Sequence, residues 1–194
     1  KLLNVLETQT TLDAVRAFLR TKGLSHSATS WAKMLEIRII PRLENGTIKQ
    51  SDLIELIRVA EEHGNKHVRL YQYDKSSLED LDKALDEQVV IEWGKEQNHP
   101  VAGEYVFAAY PKIPTVTEVR VGDRGGDKAF VMKIARTENR RKRAELQEIA
   151  GSEFYVAQRV PYRAVDVVKI HQDGLIEVRM DPRSEPPISY TGSA

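Results

Sequence analysis

The sequence predicts an α+β fold. An N-terminal helical bundle over residues 1–65, death-fold-like or helix-turn-helix-like, is followed over 66–183 by a mixed, largely antiparallel β-sheet unit with one or two helices, and by a flexible tail over 184–194. Three observations carry this. Apolar residues recur with the helical period as far as His63. The period then switches to alternation in His67-Val68-Arg69-Leu70-Tyr71-Gln72-Tyr73. Beyond that point short apolar runs are separated by Gly/Asp-rich turns.

Each element follows from local chemistry. Thr10 or Thr11 caps a helix with an apolar stripe at Leu12, Val15, Phe18 and Leu19, closed by Gly23 in the left-handed region. A second helix starts near Ser27–Ser30, buries Trp31, Met34, Leu35 and Ile39, and is kinked or ended by Pro41. After the Asn45-Gly46 turn, Thr47 to Gln50 has capping-box spacing and Ser51 offers a second cap. The third helix follows, with Leu53, Leu56, Ile57 and Ala60 inward and Gly64 at its end.

In the second half, Ser76 or Ser77 caps an acidic helix through Leu78, Leu81 and Leu85. Strands are predicted over Gln88–Trp93, Glu104–Tyr110, Thr115–Gly122 and Lys128–Ala135, then one helix over Arg136–Ile149. Strands Phe154–Arg159, Arg163–Ile170 and Leu175–Met180 complete the unit, the last two joined by a hairpin turn at His171-Gln172-Asp173-Gly174.

Composition narrows the chemistry. The chain has no cysteine, which removes thiolate zinc sites, thiol catalysis and disulfides and points to an intracellular setting, cytoplasmic or nuclear. No apolar run is long enough to span a bilayer, and Lys1-Leu2-Leu3-Asn4 is too short in apolar residues for a signal peptide. The start at Lys1 rather than methionine suggests a fragment, and Ser189–Ala194 reads as a flexible or vector-derived tail. The formal net charge of zero hides segregation: Lys+Arg against Asp+Glu is 8 to 4 over residues 1–49, 6 to 12 over 50–99 and 13 to 8 over 112–169.

The strongest candidate for a contact surface is the segment that packs Lys133, Arg136, Arg140, Arg141, Lys142 and Arg143 together. On a helix, Arg136, Arg140 and Arg143 fall on one face, with Arg141 and Lys142 flanking it; Glu138–Lys142 and Arg141–Glu145 spacings also allow a solvated face laced with ion pairs. Arg159 and Arg163 on neighbouring strands extend the strip if brought alongside, as do Arg16, Arg20, Arg38 and Arg42. Tyr105, Tyr110, Tyr155 and Tyr162 could stack on bases or fill the core. Gly122–Asp127 lacks Walker spacing and joins two strands, so it reads as a turn with Arg124 as a minor contact. Of the five histidines only His63 and His67 stand four apart, and Gly64 between them separates a helix end from a strand, so no cofactor, metal or catalytic residue is assigned. Glu118 with Arg120 has the wrong cation for a Glu-x-Lys nuclease strand, and Glu61-Glu62 reads as a solvated helix face.

One stretch, Leu19 to Tyr73, resembles the amino-terminal half of the centromere protein N family. The resemblance rests on Leu19-Arg20-Thr21-Lys22-Gly23-Leu24, Trp31-Ala32-Lys33-Met34-Leu35, Asn45-Gly46-Thr47-Ile48, Asp52-Leu53-Ile54-Glu55-Leu56-Ile57 and Val68-Arg69-Leu70-Tyr71. It implies a helical bundle followed by a mixed α/β unit that binds nucleosomal DNA and partner proteins through basic surfaces; no binding residue transfers with it. The expectation is a non-catalytic binding module docking on nucleic acid, chromatin-like DNA included. The alternatives are a regulatory or assembly domain that contacts other subunits of a larger complex through Glu79–Glu96 and the basic segment, and an enzyme whose site is assembled from distant residues.

Overall fold

A computed structural model describes residues 1–73, 78–101, 104–107, 110–124, 127–142, 146–149, 152–155 and 158–181. The predicted caps Ser76 and Ser77, Arg143 and the predicted tail lie outside the described residues.

The chain is α+β, with the helices first. Helices α1 (Leu2–Gln9), α2 (Leu12–Thr21), α3 (Trp31–Lys33), α4 (Ile40–Glu44) and α5 (Gln50–His63) precede the first strand. Thr11 caps α2 by accepting from the Ala14 N–H at 3.1 Å, and Gly23, at φ +68°, lets the Gly23 and Leu24 N–H groups return to the Arg20 and Leu19 carbonyls. Ser30 caps α3. Between α3 and α4, Met34–Ile39 winds as a π-helix, with the Ile40 N–H donating to the Leu35 carbonyl. Pro41 enters directly after this widened turn, at the start of α4, so the helical path continues through it to Glu44. The cap of α5 falls between the two predicted sites, at Lys49, whose N–H donates to Asp52 at 2.9 Å. Val5, Leu6, Val15, Leu19, Met34, Ile39, Ile48, Leu53 and Ile57 form the core of these helices, joined by Tyr105.

Five strands build an antiparallel sheet in the order β1 (His67–Gln72), β7 (Leu175–Met180), β6 (Gln158–His171), β3 (Asp127–Lys142), β2 (Thr115–Arg124). A separate hairpin pairs β4 (Leu146–Ile149) with β5 (Ser152–Tyr155). Helices α6 (Leu78–Ala84) and α7 (Glu87–Glu96) bury Leu81, Leu85 and Val90 with Val119 and Phe130 on one sheet face. α5 meets the opposite face through charge.

Several expectations are corrected. Gln88–Trp93 is helical: Asp86 accepts from the Gln88 and Val89 N–H groups, and Val90 and Gly94 bury one face, which overrides the β-branched run. Residues Glu104–Phe107 have no regular structure. The expected helix over Arg136–Ile149 is absent. Strand β3 instead continues to Lys142, paired residue by residue with β6 from Arg136↔Ala164 to Lys142↔Gln158. A long partner strand outweighs helix propensity. The predicted strand Phe154–Arg159 divides between the end of β5 and the start of β6. The hairpin turn is present, with Gly174 at φ +84°.

Candidate nucleic-acid interface

Among the described residues, β3 and β6 run past the rest of the sheet. β2 leaves β3 at Ala135, and β7 pairs with β6 only over Val167–Ile170. Among the described residues, the seven register pairs from Arg136↔Ala164 to Lys142↔Gln158 therefore form a two-stranded ribbon with no third strand. At about 3.4 Å per residue the ribbon is roughly 24 Å long.

Its outer end carries the charge. The last three pairs are Arg140↔Val160, Arg141↔Arg159 and Lys142↔Gln158. They hold four cations and no carboxylate. Arg141 stands opposite Arg159 in the register. Arg159 is exposed.

The inner end is occupied. The Arg136 guanidinium meets Asp166 at 2.6 Å and Glu138 at 2.9 Å. Burial works against its charge, but Asp166 and Glu138 more than offset that and raise its pKa. Thr137 donates to the Pro111 carbonyl at 2.7 Å, bracing the root of the ribbon.

Lys133 and Arg163 leave the predicted strip: both are buried, at 0% and 2% exposure. Lys133 stands among three carboxylates, 3.0 Å from Glu62, 3.0 Å from Glu118 and 3.5 Å from Glu61. Arg163 pairs with Glu61 and reaches the Tyr105 hydroxyl at 3.2 Å, while that hydroxyl donates to Glu61 at 2.5 Å. Burial and the adjacent Glu61 charge push the Tyr105 hydroxyl well above its ordinary pKa, so it stays a donor. Tyr105 is thus a core residue and no stacking platform. Tyr110 is exposed, Tyr162 is half-buried, and the Tyr155 side chain lies outside the described residues. Arg16, Arg38 and Arg42 donate to the carbonyls of Ala28, Ser27 and Ser25, bracing the loop between α2 and α3.

Glu62 organises the cluster. It accepts from Arg120 at 2.5 Å, Lys169 at 2.8 Å and Lys133 at 3.0 Å. Burial alone would raise its pKa; the three cations overcome that and hold it at about 2. Glu118 is held in turn by Arg58 at 2.5 Å. Glu61-Glu62 is therefore no solvated face. One signal was legible: Glu61 continues the four-residue spacing of the buried Leu53 and Ile57, and Lys133 alternates with the buried Val131 and Ala135. A cleft of about 560 Å³, lined by Arg58, Glu62, Arg120, Lys169 and Arg179 among others, opens beside the cluster. No group of His, Asp and Glu suited to a metal ion occurs among the described residues, and none of their helices is long and apolar enough to cross a membrane. Comparison of the chain with family models, curated proteins and solved structures gives no match.

Proposed function

We propose that the protein is a non-catalytic, intracellular binding module that docks on nucleic acid through the outer end of the β3–β6 ribbon. The observation that carries this reading is the four cations of Arg140, Arg141, Lys142 and Arg159 in three consecutive register pairs, with Arg141 opposite Arg159. A row of phosphates removes the repulsion that the bare pair incurs. A two-stranded ribbon also fits the width of the major groove of B-DNA, so shape and charge agree. The buried cluster then serves as the rigid root that holds the ribbon at a fixed angle.

The test is fluorescence-polarisation titration with labelled duplex and single-stranded DNA at two salt concentrations, beside the R140E/R141E/R159E variant. Four phosphate contacts give a slope of log K against log salt of about −3.6 on duplex DNA. The variant should lose that binding. Unchanged affinity in the variant, or no binding at low salt, overturns the reading and leaves assembly with protein subunits in its place.

A second reading is catalysis at the cleft, favoured by the gathering of Glu61, Glu62 and Glu118 from distant parts of the chain. It ranks behind because Lys133, Arg120, Lys169, Arg58 and Arg163 already engage those carboxylates. Glu62→Gln separates the two: catalysis would be lost, whereas DNA binding at the ribbon tip would persist.

A further inference from the structure

The buried cluster beneath α5 carries an unbalanced charge, and the imbalance faces the cleft. Ion pairs connect five cations, Arg58, Arg120, Lys133, Arg163 and Lys169, to three carboxylates, Glu61, Glu62 and Glu118. Among the described residues that network holds two positive charges in excess. Its carboxylates lie inside, at 0–7% side-chain exposure, whereas Arg58, Arg120 and Lys169 keep between 12% and 23% and line the cleft. Charges drawn out of water are costly unless they are compensated, so the open side of the cluster favours an anion. Two further carboxylates line the cleft without removing the excess. Glu177 is matched by Arg179 at 2.5 Å and lies 3.2 Å from His171, and Glu55 is 65% exposed and 3.6 Å from Arg58, where water screens it.

The strand register sets two of these cations beside a low floor. Arg120, Val131 and Lys169 stand in one row across β2, β3 and β6, and Gly122, Ala129 and His171 form the next row on the same face. Arg120 and Lys169 both contact Glu62, at 2.5 and 2.8 Å, so they are close enough to share a second anion. Neither is saturated. Arg120 turns Nε toward Glu118 and Nη2 toward Glu62, while Lys169 makes one contact of the three its ammonium allows; Arg120 Nη1 makes none among the described residues. That Nη1 lies over Gly122, where a Cβ would collide with it. Gly122 and Ala129 thus give the cleft of about 560 Å³ a floor of small residues next to two cations, and Val59 of α5 lines the same space.

We propose that this cleft binds a small phosphate monoester. Its phosphate accepts from Arg120 Nη1 and Lys169 Nζ, and its organic group rests on Gly122 and Ala129 against Val59. A phosphate monoester carries about −1.5 to −2 charge at pH 7, which matches the excess of two; a single carboxylate does not. The site is separate from the ribbon tip and depends on neither DNA binding nor catalysis.

The test is isothermal titration calorimetry of the full chain with inorganic phosphate, phenyl phosphate and succinate, at an ionic strength held constant with sodium chloride. One equivalent of phosphate should bind, phenyl phosphate severalfold tighter through burial of its ring, and succinate much more weakly. K169M leaves Arg120 and Lys133 on Glu62, so it should fold; losing one charge-assisted bond should weaken phosphate binding about tenfold or more. G122V keeps every charge, suits a strand, and should abolish phenyl phosphate binding by filling the floor. R140E/R141E/R159E should bind phosphate as the unmodified chain does. In the unmodified chain, phosphate should slow acetylation of Lys169 but not of the exposed Lys128, read by peptide mass spectrometry. Succinate binding equal to that of phosphate, full affinity in K169M or G122V, loss of phosphate binding in the ribbon-tip variant, or no protection of Lys169 would each overturn the proposal.

Discussion

Glu118 and Lys133 stand opposite each other in the β2–β3 register and meet at 3.0 Å because β2 carries one extra residue just before Glu118. Val116 pairs with Ile134, yet Glu118 pairs with Lys133, so Thr117 is bulged out of the ladder. Its carbonyl accepts instead from the Val106 N–H at 3.1 Å. Without the bulge, Glu118 would fall opposite Met132 on the apolar face beneath α6 and α7. Deleting Thr117 should, by contrast, only straighten the ladder, since Glu118 then follows Val116 directly and stays opposite Lys133: the cooperative thermal transition by circular dichroism should survive, lowered by roughly the 0.5–1.5 kcal/mol of the bond to the Val106 N–H.

Lys133 is fully buried among Glu61, Glu62 and Glu118. Lys133→Met keeps volume but removes the cation from three carboxylates. The expected loss is about 3–5 kcal/mol, measured as a lower midpoint in urea at constant slope.

Acid should dissolve this cluster in a defined window. The folded pKa of Glu62, about 2, lies below its ordinary value of 4.5. A depressed carboxylate contributes stability that is fully present above pH 4.5 and is lost as pH falls toward 2, on the order of 3 kcal/mol in all. Glu62→Gln should be less stable at pH 7 and should show a flatter stability profile between those limits. An unchanged profile would show that Glu62 is not the titrating group.

Gly94 lets α7 approach Val101 closely. A Cβ there would stand 2.1 Å from Cγ1 of the buried Val101, whose neighbour Pro100 holds the Val119 N–H at 2.8 Å. Alanine gains about 1 kcal/mol of helix propensity, but overpacking a pinned valine costs about 1–3 kcal/mol. Gly94→Ala should be net destabilising by thermal melt, against the usual sign for a helical glycine.

Function and stability should part company at the ribbon tip. Arg141→Glu replaces a like-charge pair with Arg159 by an opposite-charge pair and should stabilise the chain by about 0.2–1 kcal/mol in chemical denaturation. The same substitution should weaken DNA binding and shallow its salt slope by about two units. Loss of both stability and binding would mark Arg141 as a structural residue.

Legibility followed the reach of each interaction. Helix α2, the end of α5, strand β7 and its turn were readable because Thr11, Gly23, Gly64 and Gly174 act within a few residues of themselves. The basic segment was visible as composition, but its form was not: Arg136–Lys142 is strand only because Gln158–Ala164 lies alongside, and pairing across a long connection leaves no local period. The same holds for the cluster. Arg58, Glu62, Glu118, Lys133 and Lys169 are ordinary surface residues until the sheet forms beneath α5.

The distances along the chain within that cluster bear on how the protein is made. Arg163 follows Glu61 by 102 residues. At ribosomal rates of about 5–20 residues per second, α5 emerges roughly 5–20 s before that partner exists. The bonds of Arg163 to Glu61 and of Lys169 to Glu62 can form only after β6 has been made, so completion of the cluster belongs to the end of synthesis and not to the folding of α5 itself.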